Sequence, residues 1–291
     1  MNILSFDIEE WYVNQQKGGP AERYIEYDHY LDAILDILDE QHFKATFFCV
    51  GEIGRLFPEV IHKIQRRGHE VGCHSNQHTW LNKMTEAEAR KDTHAAISSL
   101  EQCMGQKVLS YRAPAFSIGE SNKWMFEILA ENGIERDASV FPVARDFGGF
   151  PNFEHKTPCV VEYKGISIKE FPVCTAKILG MEFAYSGGGY FRFFPLSFVE
   201  REMNKASYTM CYFHIGDLIP ETRRMQSREE YERYFRQKGT LMNRSKRFVK
   251  GNLGKKGAFD KMKRLVSSHD FLSLDAADKA IDWEQKSVIG L

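Results

Sequence analysis

Residues 70–78 read EVGCHSNQH, in which a short apolar strand at Glu70–Cys73 ends directly on one histidine and a second histidine follows four residues later. Apolar strand patterns alternate with helical patterns along most of the chain, which predicts parallel βαβ units. An open parallel sheet gathers its functional groups near one switch point, whereas a barrel collects them from the C-terminal ends of many strands. Polar residues at or just beyond predicted strand ends are Asp7, His74, Arg112, Asp137 and His214. This wide distribution favours an α/β fold built as a distorted (β/α) barrel.

The helical segments carry recognisable start and stop signals. Thr85–Glu88 has the pattern of a capping box, and Gly105 is a typical helix stop. Beyond the first helices and strands the pattern changes, because Val160–Tyr163 and Ile166–Phe171 predict a β-hairpin with Lys164-Gly165 at its turn. We expect one domain over residues 1–291, with an insertion at about 145–195 and a helical C-terminal part at about 225–291. A last strand is predicted at Asp270–Leu274.

Length and composition restrict the class of protein. The 291 residues are 43% hydrophobic and 27% charged, and a chain of this size can bury a large core without staples. The formal net charge of −1 gives no overall nucleic-acid footprint. We expect neither a signal peptide nor a membrane span, because no apolar run of suitable length occurs. The six cysteines form no CxxC pair, which predicts buried, reduced thiols in a cytoplasmic protein.

Two segments suggest a metal site. His74 and His78 can share one divalent ion if their segment is tightly turned, although an HxxxH pair also arises by chance among ten histidines. Asp7 and Glu9 project from the same face of an extended segment while Glu10 points away. A carboxylate can complete a site with two histidines, and the alternative is a solvated acidic loop.

Two further strand ends suggest catalytic partners. Arg112 begins the turn Arg112-Ala113-Pro114-Ala115, and a permanently charged guanidinium suits a buried carboxylate. The alternative is a surface arginine before a turn-forming proline. His214 ends the apolar run Cys211–His214 and points into a strand-end pocket, unless it is a hydrogen-bonded core histidine.

Taken in order, these motifs resemble those of the polysaccharide deacetylases, the NodB-like carbohydrate esterase family 4. The resemblance runs from Phe6 to about Ala280, and its most specific parts are Thr46-Phe47-Phe48 and His74-Ser75-x-x-His78. The hairpin and the stretch Gly187–Arg192 look like a subgroup found with exopolysaccharide biosynthesis. Two departures are present: the first motif is Asp-x-Glu where most members have adjacent aspartates, and Ala115 replaces an aromatic residue after the proline.

The resemblance implies a set of roles. Asp7 is expected to be the general base, held by Arg112, and His214 the general acid, while Glu9, His74 and His78 bind a divalent metal ion. The ion is expected to be zinc, but the same ligands accept cobalt, nickel, manganese or iron. The backbone N–H of Ala115 is expected to bind the oxyanion, and Asp137 to be an orienting carboxylate. Glu10 remains an alternative ligand to Glu9.

The implied activity is removal of N-acetyl groups from a poly- or oligosaccharide, either free or carried on a lipid or nucleotide. The alternatives are hydrolysis of a small non-sugar amide or an O-acetyl ester, and a non-catalytic carbohydrate-binding barrel. The segment 244–264 contains nine Lys and Arg residues, which favours either contact with an anionic membrane or sugar diphosphate, or a solvated helix face. A cytoplasmic and membrane-peripheral location is therefore an expectation.

Overall fold

Parallel strands dominate the structure, a computed structural model that describes residues 1–144, 148–221, 224–235 and 237–291. The strands of these ranges are β1 (Asn2–Ile8), β2 (Thr46–Cys49), β3 (Glu70–Cys73), β4 (Ser110–Tyr111), β5 (Arg136–Asp137), β6 (Cys159–Tyr163), β7 (Ile166–Glu170), β8 (Thr175–Ile178), β9 (Met181–Ala184), β10 (Thr209–His214) and β11 (Val288–Gly290). Nine of them form one sheet in the order β10-β1-β2-β3-β4-β5-β7-β6-β11. Every pairing in it is parallel except that of β6 with β7. The α/β class predicted from the sequence is confirmed.

Helices connect the strands and cover the sheet. They are α1 (Glu10–Gln16), α2 (Glu22–Glu40), α3 (Gly51–Leu56), α4 (Pro58–Arg66), α5 (Glu86–Met104), α6 (Met125–Glu131), α7 (Gly188–Phe193), α8 (Leu196–Lys205), α9 (Ile215–Leu218), α10 (Arg228–Phe235), α11 (Leu241–Asn252), α12 (Ala258–Ser268) and α13 (Leu274–Ala280). The predicted capping box opens α5, where the Thr85 hydroxyl accepts the Glu88 N–H. Gly105 ends α5 at φ 67°, a left-handed conformation that glycine adopts without a steric penalty.

The predicted hairpin is present as β6 and β7. Its two turn residues, Lys164 and Gly165, have φ of 50° and 81°, as the tight turns that match the twist of paired strands require. The second strand of the hairpin pairs with β5, so Glu170 lies opposite Asp137. The insertion expected at about 145–195 contains this hairpin, but its first three residues, 145–147, lie outside the described residues.

Three features differ from the sequence-based expectation. The segment Asp270–Leu274 is not a strand, and only Leu272 forms an isolated bridge, to Ile3. The segment ends at the start of α13, where the Ser273 hydroxyl accepts the Ala276 N–H as the N-cap. The glycine-rich stretch Gly187–Arg192 suggests a loop in the sequence, but all of it except Gly187 lies in α7. A second hairpin, β8–β9, was missed, although Leu179-Gly180 at its turn has the signature of a two-residue connection.

The apolar core lies on both faces of the sheet and explains the short apolar runs. Phe6 of β1 stacks on Phe47 of β2 with ring centroids 5.0 Å apart. All six cysteines are unpaired, and five are buried, with Cys103 the half-buried one. None of the helices in the described ranges has the length and apolar character that crossing a bilayer requires.

Candidate active site

The C-terminal ends of five parallel strands place their polar residues at the same edge of the sheet. Asp7 lies opposite His214 in the parallel pairing of β1 with β10. Cys73, the residue before His74, lies opposite Tyr111, the residue before Arg112. Tyr111 in turn lies opposite Asp137. The common placement predicted for these residues is therefore observed, and their individual environments decide what each can do.

Glu9, His74 and His78 form a cluster that suits a metal ion. One ligand atom from each side chain lies within 4.8 Å of the other two, and within the described ranges this is the only such group of three His, Cys, Asp or Glu side chains. The Nε2 atom of His78 contacts Oε2 of Glu9, and the Nε2 atom of His74 lies 3.9 Å from the same oxygen. Two imidazoles and a carboxylate are a donor set that divalent first-row metals accept.

The backbone carbonyl of Arg112, at the end of the neighbouring strand, orients the His74 ring. Its Nδ1 lies 2.7 Å from the Arg112 carbonyl oxygen, a distance at which Nδ1–H donates to the carbonyl. The proton on Nδ1 leaves Nε2 unprotonated, and Nε2 is buried without a hydrogen-bond partner. Burial lowers the pKa of His74 to about 4, which outweighs the opposing effect of Asp7. A neutral imidazole with one bare nitrogen facing a carboxylate fits a metal ligand.

The loop that carries His78 is tightly turned. Ser75 and His78 have φ of 59° and 55°, a left-handed conformation that costs a non-glycine residue about 1–2 kcal/mol. The His78 N–H donates to the Ser75 hydroxyl at 3.0 Å. From α5, the Asp92 carboxylate accepts the Asn76 N–H at 2.8 Å. The tight turn that the HxxxH spacing requires is thus stabilised by a helix that follows it in the chain.

The structure distinguishes the two neighbouring glutamates. Glu9 points to the histidines, whereas the buried Glu10 accepts the Gly216 N–H at 2.5 Å at the start of α9. Burial and the neighbouring Glu9 carboxylate raise the pKa of Glu10 to about 7. Glu9 is therefore the carboxylate that the fold brings to the imidazoles.

Asp7 is held by a fully buried guanidinium. Arg112 Nη1 donates to Asp7 Oδ1 at 2.8 Å and to the Ser5 hydroxyl at 2.9 Å, and the Arg112 side chain has no exposed surface. The guanidinium lies 4.2 Å from the ring centroid of Phe48. Burial alone would raise the pKa of Asp7, but the charges of Arg112 and the nearby histidines outweigh it, so the pKa lies below its ordinary value. Asp7 is an ionised carboxylate with a fixed orientation.

His214 differs from the other two histidines in having carboxylates at both ring nitrogens. Nδ1 lies 3.2 Å from Asp217 Oδ2, and Nε2 lies 3.6 Å from Asp7 Oδ2. Burial would lower the pKa of His214, but Asp217, Glu9 and Asp7 together raise it to about 10. The ring is therefore protonated at neutral pH and can donate a proton.

Comparison with known proteins agrees with this arrangement. The family model for polysaccharide deacetylase matches residues 19–136, and a domain of unknown function, DUF3473, matches residues 138–277. Residues 19–136 therefore belong to the polysaccharide deacetylase family. A peptidoglycan-N-acetylglucosamine deacetylase from Bacillus cereus is 28% identical over 138 residues, which cover 43% of this chain and 50% of that protein.

One further relative matches only part of the chain, whereas a solved structure matches all of it. The uncharacterized protein YlxY of Bacillus subtilis is 30% identical over 122 residues, covering 40% of this chain and 37% of that protein. The chain thus spans half or less of the length of these two relatives. A solved structure from Mycobacterium smegmatis, assigned to the polysaccharide deacetylases, covers 100% of this chain and 92% of its own, with a TM-score of 0.63 and 19% identity. That likeness shows the same fold.

Two further predicted residues, Ala115 and Asp137, are placed differently from the six described above. Ala115 lies in a short 3₁₀ turn, Pro114–Phe116, at φ 55°. Asp137 is fully buried, accepts the Ser139 hydroxyl, and lies opposite Glu170 in the pairing of β5 with β7. The same Ser139 hydroxyl accepts the Ala113 N–H at 2.8 Å. Asp137 thus contacts the turn that carries Arg112 through Ser139.

Sequence reasoning missed four residues that support the site. Asp92 holds the His78 loop, Asp217 holds His214, and Glu170 pairs with Asp137. The fourth, Tyr234 of α10, places its hydroxyl 3.4 Å from His78 Nδ1. The spacing of Asp217 three residues after His214 was a usable signal. The other three approach the site from distant segments, and no local pattern marks them.

Proposed function

We propose that this member of the family is a metal-dependent hydrolase that removes N-acetyl groups from an oligo- or polysaccharide. The observation that carries the proposal is the convergence of Glu9, His74 and His78, with Asp7 and His214 beside them. A binding module has no use for an ionised carboxylate and a protonated imidazole 3.6 Å apart, whereas amide hydrolysis needs a base and an acid at one site.

The proposed metal centre consists of Glu9, His74 and His78. The bare, buried Nε2 of His74 supports it, because an unpaired buried nitrogen is costly unless a ligand satisfies it. A divalent ion, zinc in our proposal, supplies polarisation of the acetyl carbonyl and a lower pKa for water when bound.

The remaining chemistry falls to the side chains of this chain. Arg112 keeps the Asp7 carboxylate ionised and oriented, and Asp7 then accepts a proton from the attacking water. His214 donates its proton to the departing nitrogen, with Asp217 holding the ring. The Ala115 N–H is assigned to the oxyanion, a type of donor whose loss typically costs about a hundredfold or more in rate. Asp137 is assigned a positioning role through Ser139.

The domain boundaries are part of the same proposal. We assign residues 1–291 to one catalytic domain, in which the insertion and the helical C-terminal part support the site. The contact of Tyr234 with His78 favours this assignment, because it joins the C-terminal part to the metal-ligand loop.

Acetate release tests the proposal directly. The purified protein is offered acetylated chitooligosaccharides, an O-acetylated sugar and a small non-sugar amide, each after chelation and after addition of zinc, cobalt or manganese. We expect metal-restored acetate release from the N-acetylated saccharides above the other substrates. Preference for the small amide or the ester favours the corresponding alternative, and stoichiometric metal without turnover on any substrate contradicts the proposal.

A further inference from the structure

The helix α11 is unusual among the helices of the described ranges in having no buried residue. Its sequence, LMNRSKRFVKGN, contains four basic residues and no acidic one. It also carries exposed apolar side chains: Leu241, Met242 and Val249 are 65%, 64% and 56% exposed, and Phe248 is exposed as well.

These side chains are sorted around the helix axis. At 100° per residue, Leu241, Met242, Phe248 and Val249 fall on one face, with Ser245 between them. Arg247 falls on the opposite face, where its guanidinium lies 4.7 Å from the ring centroid of Phe235 in α10. The face turned away from the protein is therefore the apolar one.

Basic residues occupy much of the remaining helix surface. Lys246 is exposed and lies about 40° from Met242, at one edge of the apolar face, whereas Lys250 lies about 80° from Met242, closer to Arg247. Met225 extends the apolar surface, since its sulfur lies 3.9 Å from the Ser245 hydroxyl, and it is itself exposed. A polyanion alone would have no use for the apolar side chains, and an ordinary protein surface avoids a contiguous apolar patch.

Two neighbours of α11, α10 and Arg192, contact residues of the site. On one side α11 contacts α10 through Arg247 and Phe235, and Tyr234 of α10 contacts His78. On the other side Arg192 donates to the carbonyl oxygens of Lys250 and Leu253, and the same guanidinium lies 3.4 Å from Asp217, which holds His214. Two chains of contacts thus connect α11 with His78 and with His214.

We infer that α11 is an interfacial helix that docks the protein onto an anionic lipid membrane. An apolar face on a helix whose charged residues are all basic is the pattern of helices that lie in the plane of a membrane surface, with apolar side chains among the acyl chains and cations near the headgroups. The remaining basic residues of segment 244–264 contribute unequally, because Lys255 is buried against the Glu221 carbonyl and Lys261 donates to the carbonyl of Phe191.

Vesicle flotation tests the inference with the full chain and without any substrate. The protein is mixed with phosphatidylcholine vesicles or with vesicles that contain phosphatidylglycerol, at low and at high salt. We expect binding to the anionic vesicles, weakened by salt because exposed charges are screened. Lys246→Ala lowers the partition coefficient about fivefold, because a single basic side chain near such a surface contributes about that much.

The apolar contribution is tested by a matched pair of variants. Met242→Ser/Val249→Ser lowers binding about tenfold or more. Val288→Ser leaves it unchanged, because Val288 has the same 56% exposure as Val249 but lies on the edge strand β11. Circular dichroism confirms folding of each variant. Absence of binding to anionic vesicles, equal binding of all variants, or a dimer in solution that the Met242→Ser/Val249→Ser change dissociates, overturns the inference. None of these results depends on turnover, so they are independent of the proposed activity.

Discussion

His74 and His214 end strands on the same side of the sheet, yet the structure prepares them for opposite chemistry. The His74 ring is fully buried, with a carbonyl at Nδ1 and no hydrogen-bond partner at Nε2. The His214 side chain keeps 27% of its surface exposed and has a carboxylate at each nitrogen. Burial lowers the pKa of His74 to about 4, and the carboxylates around His214 raise its pKa to about 10. The partner of the second ring nitrogen, rather than the residue type, distinguishes a ligand from an acid.

The largest loss of activity is expected when a proposed metal ligand is removed. His74→Ala removes one of three metal ligands, so bound metal and acetate release should both be lost. The loss of rate is about a thousandfold or more, because the electrostatic effect of a bound ion is worth several kcal/mol. Metal analysis of the purified variant is the measurement, and His94→Ala, at an exposed histidine of α5, is the matched control. Full metal content in the His74→Ala variant would remove His74 from the site.

Asp7 is the proposed base and not a metal ligand, so its substitution should reduce turnover without reducing metal binding. Asp7→Asn keeps an acceptor for Arg112 but removes the base, so activity falls by about 10²–10⁴-fold while metal content stays that of the wild type. Metal content and turnover are measured on the same preparation. Near-normal activity would show that the base has been assigned to the wrong residue.

The proposed role of His214 as the acid is tested by comparing substrates whose leaving groups differ in their need for a proton. His214→Ala should slow cleavage of an N-acetyl amide by about a hundredfold or more and slow an activated ester much less, because a good leaving group needs little protonation. Asp217→Asn should show the same preference more weakly. An equal loss on amide and ester would indicate that His214 has a role other than proton donation.

The support of the metal-ligand loop predicts a smaller effect. Asp92→Ala removes the acceptor of the Asn76 N–H, so His78 loses part of its orientation. Partners behind the ligands typically contribute about 10–100-fold in metal affinity. Competition with a chromophoric chelator measures the affinity, with Lys91→Ala at an exposed neighbour on α5 as the control. Unchanged affinity would show that the loop holds its turn without Asp92.

The sequence was informative where the signal is local. A polar residue that follows an apolar run lies at a strand end, and this rule located Asp7, His74, Arg112 and His214 from the amino-acid pattern alone. Alternation of side chains in extended backbone favoured Glu9 over Glu10 but left Glu10 as an alternative, because Glu9 follows β1 and precedes α1 rather than lying in a strand. The Thr85 capping box and the Lys164-Gly165 turn were found for the same reason, since each is specified by a few neighbouring residues.

The supporting residues depend on tertiary placement, which periodicity does not encode. Asp92 reaches the metal-ligand loop only because α5 packs beside it. Glu170 meets Asp137 only because the second strand of the hairpin, and not the first, pairs with β5. The strand expected at Asp270–Leu274 was wrong because an apolar run of this length suits a strand or a buried helix start, and the Ser273 cap decides for the helix.

The smallest effect concerns the buried carboxyl pair of Asp137 and Glu170. Burial and the neighbouring Asp137 raise the pKa of Glu170 well above its ordinary value, and burial raises the pKa of Asp137 to about 6. Raised pKa values in the folded state favour the protonated forms, so this stabilisation is complete below the unfolded values near 4 and is lost as the pH rises through the folded values. Glu170→Gln cannot ionise and still accepts the Val140 N–H. The free energy of unfolding, measured by urea denaturation, should therefore decrease between pH 5 and pH 8 by roughly 1–2 kcal/mol less in this variant than in the wild type.

Glu162→Gln, at an exposed carboxylate of the same hairpin, should leave the pH dependence as it is in the wild type. Parallel pH curves for Glu170→Gln and the wild type would mean that the pair does not share a proton in the folded state.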